Sequence, residues 1–171
     1  MNKLILILNC DIHYGIGKRN GLLFELPQDM AFFRKTTSGH TVALGENTLL
    51  SFPGSKPLKN RKHIVISADP AHNYEGVLNV HDFPSFLKEI KNALSEDDVY
   101  VIGGASIYNA MLPYCNEVLL TKVEEDGHAE VFFQNIDENP AFRCVETSEP
   151  IDDNGHTIRF TRYENSSPSS L

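Results

Sequence analysis

Up to residue 112, short apolar runs alternate with helix-patterned segments, and that alternation is the strongest limit on what this chain can fold into. Leu4–Cys10 and residues 41–44, 63–67, 77–80 and 99–102 are rich in Val, Ile and Leu and read as buried strands. Residues 28–37, 47–52, 83–94 and 105–112 read as helices. The third of these puts Phe83, Phe86, Leu87, Ile90 and Leu94 on one stripe behind Asp82, a good N-cap. Strands that are apolar throughout need cover on both faces, so the pattern predicts a mostly parallel sheet between helical layers. Three further runs, 118–123, 142–147 and 157–163, extend the sheet. The last two flank Asp152-Asp153-Asn154-Gly155, a strong turn signal, and are expected to form an antiparallel hairpin. The expected fold is therefore α/β: a central, mostly parallel eight-stranded sheet with an antiparallel C-terminal hairpin strand, flanked by four helices. Residues 1–164 form one domain, and the polar stretch 165–171 is expected to be a disordered tail.

Charge and cysteine usage narrow the function class. Twenty-three acids against 15 bases leave a net charge of −8, which opposes binding to nucleic acid or anionic membranes. Cys10, Cys115 and Cys144 are odd in number and far apart, so neither a disulfide framework nor a zinc site is suggested, and a cytoplasmic location is expected. The apolar start Leu4-Ile5-Leu6-Ile7-Leu8 is too short to cross a bilayer. No histidine pattern suggests a metal, and His63 and His81 read as surface or packing residues. Four cations, Lys56, Lys59, Arg61 and Lys62, crowd one stretch; a small anionic ligand and a solvated loop fit it equally.

Candidate chemistry gathers at three places. Asp29 is the only acid in the helical segment Leu26-Pro27-Gln28-Asp29-Met30-Ala31-Phe32-Phe33-Arg34-Lys35, and Phe33 shares its face. A carboxylate beside apolar rings is costly to desolvate unless a cationic or hydrogen-bonding edge meets it. The alternative is an ordinary acid in the opening turn after Pro27. Between the first strand and this helix runs a glycine-rich loop, 13–25, whose Ile16, Leu22, Leu23 and Phe24 must bury against something. Finally, Gly103-Gly104 and Leu44-Gly45-Glu46-Asn47-Thr48 each join a strand to a helix, and two such junctions could straddle a dinucleotide. Neither is the Gly-x-Gly-x-x-Gly fingerprint.

Six motifs in order make the chain resemble dihydrofolate reductases from about Leu4 to Tyr163. They are Gly15-Ile16-Gly17, Leu26-Pro27-x-Asp29-Met30-x-x-Phe33, Gly45-x-x-Thr48-x-x-Ser51-Phe52, Pro57-Leu58-Lys59-Asn60-Arg61, Ile102-Gly103-Gly104-Ala105-x-Ile107-Tyr108 and Leu120-Thr121. The resemblance implies reduction of dihydrofolate to tetrahydrofolate by hydride transfer from NADPH, with no metal. It implies that Asp29, oriented by Thr121, grips the 2-amino and N3 edge of the pteridine and assists protonation of N5, with Phe24 close by. Ile7, Leu8, Met30, Phe33, Phe52, Leu58, Ile102 and Tyr108 would line the substrate site, and Arg61 would clamp the α-carboxylate of the glutamate tail. Asn9, Ile16, Asn20, Gly45, Glu46, Asn47, Thr48, Ser67, Ala68, Gly103, Gly104, Ala105, Ser106 and Ile107 would border the cofactor, with a cis Gly103–Gly104 bond. The family resemblance also implies a monomer with no macromolecular partner.

Four departures stand out against that pattern. Phe24 and Leu23 replace a Trp and a Pro near the pterin. Glu46 holds a place commonly given to Arg against the adenosine 2′-phosphate, and Ala68 and Ser106 lack helper charges, so weaker preference for NADPH over NADH is expected. Asn9 replaces a usual Ala. A related pteridine or pyrimidine reductase, and a noncatalytic folate-binding protein, are the competing readings; Asp29, Phe33 and Arg61 favour folate over the first.

Overall fold

The structure, a computed structural model, describes residues 1–19 and 21–171. Its strands are β1 (Leu4–Cys10), β2 (Gly15–Gly17), β3 (Thr41–Gly45), β4 (Lys62–Ile66), β5 (Leu78–Val80), β6 (Val99–Gly103), β7 (Glu117–Val123), β8 (Val131–Phe132), β9 (Phe142–Thr147), β10 (Ile151–Asp153) and β11 (His156–Asn165). The α-helices are α1 (Pro27–Thr37), α2 (Glu46–Ser51), α3 (Phe83–Leu94) and α4 (Ala105–Met111). Eight strands run in the order β10-β11-β7-β1-β6-β3-β4-β5, and β9 pairs with β11 as a ninth. All neighbours from β7 to β5 are parallel, and β11 is antiparallel to β7, β9 and β10.

Alternation along β1 sorts its side chains between two cores. Leu4, Leu6, Leu8 and Cys10 join Phe86 and Ile90 of α3 and Tyr108 and Met111 of α4. Ile5 and Ile7 join Leu49 of α2, with Phe32 and Phe33 of α1 packed against them. Phe86 and Ile90 are fully buried, each contributing roughly 1.5–3 kcal/mol of apolar transfer. Asp82 caps α3 as expected, accepting from Ser85 N at 2.8 Å.

Two expectations need correction. The run 142–147 does pair antiparallel with β11, but the Asn154-Gly155 turn itself joins β11 to β10: Ile151 faces Ile158 and Asp153 faces His156. A two-residue loop joins only the residues directly beside it, and Pro150 keeps the preceding run out of that ladder. That run is β9, which pairs with the far half of β11, from Thr161↔Thr147 to Asn165↔Phe142. The chain end, expected to be disordered, lies on the body of the protein. Ser166 N donates to Ala141 O and Ser169 N to Pro113 O, each at 2.8 Å, while Leu171 packs against the larger core. Its few apolar and backbone anchors outweigh its polar composition. Among the described residues no helix is long and apolar enough to cross a membrane.

Candidate active site

Pro27 opens α1 behind Leu26, which has no side chain able to cap a helix. The free amides of Gln28 and Asp29 are instead taken by the two carboxylate oxygens of Asp153 on β10, each at 3.0 Å. With the cap supplied from the hairpin, the Asp29 side chain is not the helix cap and turns to the sheet. Its Oδ1 accepts from Thr121 Oγ1 at 2.7 Å and its Oδ2 from Asn9 Nδ2 at 3.0 Å. The two donors sit side by side because Asn9 and Thr121 are register partners on the parallel strands β1 and β7. Burial pushes the Asp29 carboxyl above its usual range, and the neighbouring Asp153 adds to this; hydrogen bonds from Thr121 and Asn9 oppose it without cancelling it. A half-buried acid with raised proton affinity at a cleft suits proton transfer.

An apolar wall extends from this acid. Ile7 and Ile102 are buried in one cluster, with Phe33, Phe52 and Leu58 packed against it, and Met30 on α1 is 41% exposed. Leu8 departs from expectation: one residue on from Ile7 in a strand, its side chain enters the opposite core. Tyr108 is also buried there, and its hydroxyl is spent on Ile7 O at 2.9 Å, so it supports the wall from behind. Phe24 packs against the Leu26, Val123 and Ile158 cluster, its ring 5.0 Å from that of His156.

At the far end of the wall, Arg61 is held by three acceptors. Its Nε donates to Thr37 Oγ1 at 2.8 Å, one terminal nitrogen to Lys59 O at 2.7 Å and the other to Arg34 O at 3.2 Å. Its guanidinium carbon lies 6.0 Å from the centre of the Phe33 ring. Partial burial and the nearby Arg34 lower its proton affinity, and among the described residues no carboxylate pairs with it. A fixed, unneutralised fork of this kind is suited to a carboxylate ligand. His63, expected to be a surface or packing residue, does more than pack. It is 3% exposed, and its Nε2 accepts from Leu58 N at 3.0 Å, fixing the wall residue beside Arg61.

A second groove, about 690 Å³, opens at the C-terminal ends of β3, β4 and β6, the usual ligand edge of such a sheet. Ten of the residues assigned to the cofactor line it: Gly45, Glu46, Asn47, Thr48, Ser67, Ala68, Gly104, Ala105, Ser106 and Ile107. Neither α2 nor α4, which start here, has a side-chain cap, so their first amides face the groove's ligand edge unclaimed by capping groups. Gly103 has φ of 136°, where a side chain is strained, and a Cβ there would crowd Thr48 Oγ1 at 3.1 Å; the Gly103–Gly104 bond is cis. Glu46 neither projects free into the groove nor points to open solvent. Its Oε2 accepts from Tyr74 at 2.6 Å and contacts His72 Nδ1 at 3.0 Å. A larger groove of about 910 Å³ lies at the opposite, N-terminal ends of β3, β4 and β5 and shares Arg61 and His63 with the residues above.

The loop before α1 is tied down by a residue that sequence reasoning missed. Asp11, 3% exposed, accepts from His13 N at 2.8 Å, Gly15 N at 2.7 Å and Gly127 N at 2.9 Å. A Cβ on Gly15 would come within 2.4 Å of Ala129, so only glycine lets β2 lie this close. Ile16 follows it on β2 and packs on the larger core, while Asn20 lies outside the described residues. Asp153 was likewise read only as a turn residue; its cap on α1 leaves no local pattern to find.

Comparison with known proteins agrees with this geometry. Residues 3–165 match the family model described as dihydrofolate reductase. A dihydrofolate reductase of Bacillus subtilis is 32% identical over 166 residues, 95% of each chain. One from Neisseria meningitidis serogroup A is 29% identical, covering 95% of this chain and 98% of its own. The solved structure of Enterococcus faecalis dihydrofolate reductase complexed with NADP(H) and RAB-propyl superposes with a TM-score of 0.83 at 28% identity, covering 96% of this chain and 97% of that one. With its acid, its apolar wall and its glycine-lined groove in this order along one sheet edge, the chain belongs to the dihydrofolate reductase family.

Proposed function

We propose that this protein reduces 7,8-dihydrofolate to 5,6,7,8-tetrahydrofolate with NADPH as the reductant. The observation that carries the reading is the Asp29 carboxylate, half-buried at the head of an apolar wall and held by one donor on each oxygen. Asp29 grips the 2-amino and N3 edge of the pteridine in a two-point, charge-assisted contact, and favours arrival of a proton at N5. Phe33, Phe52, Leu58 and Ile7 bury the rings, and Arg61 takes the α-carboxylate of the glutamate tail. The 690 Å³ groove, with its glycine cradle at Gly103 and uncapped helix starts, fits the pyrophosphate and ribose of a dinucleotide. When bound, NADPH supplies the hydride that adds to C6. Much of the remaining acceleration comes from orientation, which the anchored side chains provide. A net charge of −8, with Cys10 and Cys115 as buried free thiols, supports a cytoplasmic enzyme that needs no nucleic-acid or membrane partner, and we infer that it acts as a monomer.

Loss of reduced-nicotinamide absorbance on mixing the purified protein, dihydrofolate and NADPH tests the proposal. Turnover that depends on both ligands is expected. Folate binding without turnover would make the chain a binding protein, and turnover only with another pteridine or pyrimidine would reassign the substrate.

A further inference from the structure

Asp29 has two oxygens and, before any ligand arrives, each already has its own side-chain donor. The two donors differ in kind. A threonine hydroxyl can turn to donate or accept, so Thr121 serves the Asp29 carboxyl whether it is charged or protonated. The Nδ2 of Asn9 can only donate, so at Oδ2 it suits the carboxylate and is misplaced toward an O–H. The other end of the amide, Asn9 Oδ1, takes no hydrogen bond among the described residues.

We propose that Asn9 is a positioning residue for proton delivery: its amide holds Asp29 in the ionised, head-group-gripping form and so sets the pH at which the site loses its charge. This rests on Asp29 being the acid of the site. The opposing influences are identifiable. Asp153 on β10 faces Asp29 with a like charge, and Tyr108 on α4 lies close enough to feel it, although its hydroxyl is committed to Ile7 O. Burial acts in the same direction as Asp153. Against these, Thr121 and Asn9 are the side-chain donors, and both favour the ionised form. The place of Asn9 on β1, in register with Thr121, sets one donor at each oxygen of the carboxylate.

The test is a titration of the Asp29 carboxyl carbon by NMR in the ligand-free protein, paired with the pH profile of kcat/KM, for wild type, Asn9→Ala and Asn9→Asp. Asn9→Ala removes the donor, and the titration midpoint and the acid limb of kcat/KM should both move upward, by on the order of one pH unit. Asn9→Asp keeps the side-chain size but puts a second carboxyl beside Asp29, so the pair should titrate in two steps, the upper one above the wild-type midpoint. A purely structural role would lower the unfolding temperature and leave the midpoint in place. An unchanged or lowered midpoint in folded Asn9→Ala, or no step above the wild-type midpoint in folded Asn9→Asp, overturns the proposal. Because the NMR titration needs no turnover, a wild-type protein inactive on dihydrofolate would remove the folate reading while the midpoints still judge Asn9.

Discussion

Tyr74 donates its hydroxyl hydrogen bond to Glu46 Oε2 at 2.6 Å, holding the only acid at the start of α2 against the rim of the cofactor groove. That bond, more than any other influence, keeps the Glu46 carboxyl below its usual range, so it is ionised at neutral pH. A fixed negative charge beside the groove repels a 2′-phosphate. Glu46→Gln should raise the ratio of kcat/KM for NADPH to that for NADH by on the order of tenfold, the effect shrinking with added salt. An unchanged ratio would place the phosphate away from Glu46.

Removing the acid at the other end of the cleft should affect chemistry more than binding. Asp29→Asn keeps the shape and the hydrogen-bond reach but cannot hold charge or favour the proton. Its kcat/KM at neutral pH is expected to fall by about 10²- to 10⁴-fold, with the gap narrowing in acid, where free protons substitute for the missing group. Steady-state rates across the pH range check this, and near-wild-type turnover at neutral pH would contradict it.

Arg61 should act on affinity alone. Its Nε and both terminal nitrogens are oriented by Thr37, Lys59 and Arg34, a geometry a lysine cannot reproduce. Arg61→Lys is expected to raise KM for dihydrofolate about tenfold or more with little change in kcat, the signature of lost uniform binding. Dihydropteroate, which lacks the glutamate, provides the control: its KM should barely change, and an equal rise for both substrates would refute the carboxylate clamp.

Strand–helix alternation exposed all five parallel strands from Leu4 to residue 102, because strands covered on both faces need unbroken apolar runs. The contacts to Asp29 from Thr121 were inferable only through family resemblance, and Asn9, an oddity expected at the cofactor border, instead donates to Asp29. The capping role of Asp153 could not be read: it reaches the amide of Asp29 across 124 residues, and no local spacing encodes a cap supplied from another strand. The short β2 and β8 pair was hidden for a similar reason, since three and two residues carry no usable period.

Asp11 makes a stability prediction with a definite pH dependence. Burial alone would raise its carboxyl, but the amides of Gly127, Gly15 and His13 outweigh burial and hold it below the usual range. A depressed folded-state value means the contribution is present above the unfolded value of about 3.9 and is lost as pH falls through the folded one. Asp11→Ala strips the partner from three amides and is expected to cost about 2–4 kcal/mol at neutral pH, with a smaller deficit in strong acid. Denaturant unfolding at the two pH values measures it; an equal deficit at both would show that the charge is irrelevant.

The cap that Asp153 places on α1 has a consequence for how the protein comes into being. A nascent chain that has emerged only as far as Pro150 already carries β1, α1, both glycine junctions and Thr121, yet the amides that aim its acid have nothing to hold them. The cleft is thus completed only once the hairpin beyond Pro150 has folded back onto α1, so competence to bind waits on a strand far along the chain from the acid it aims.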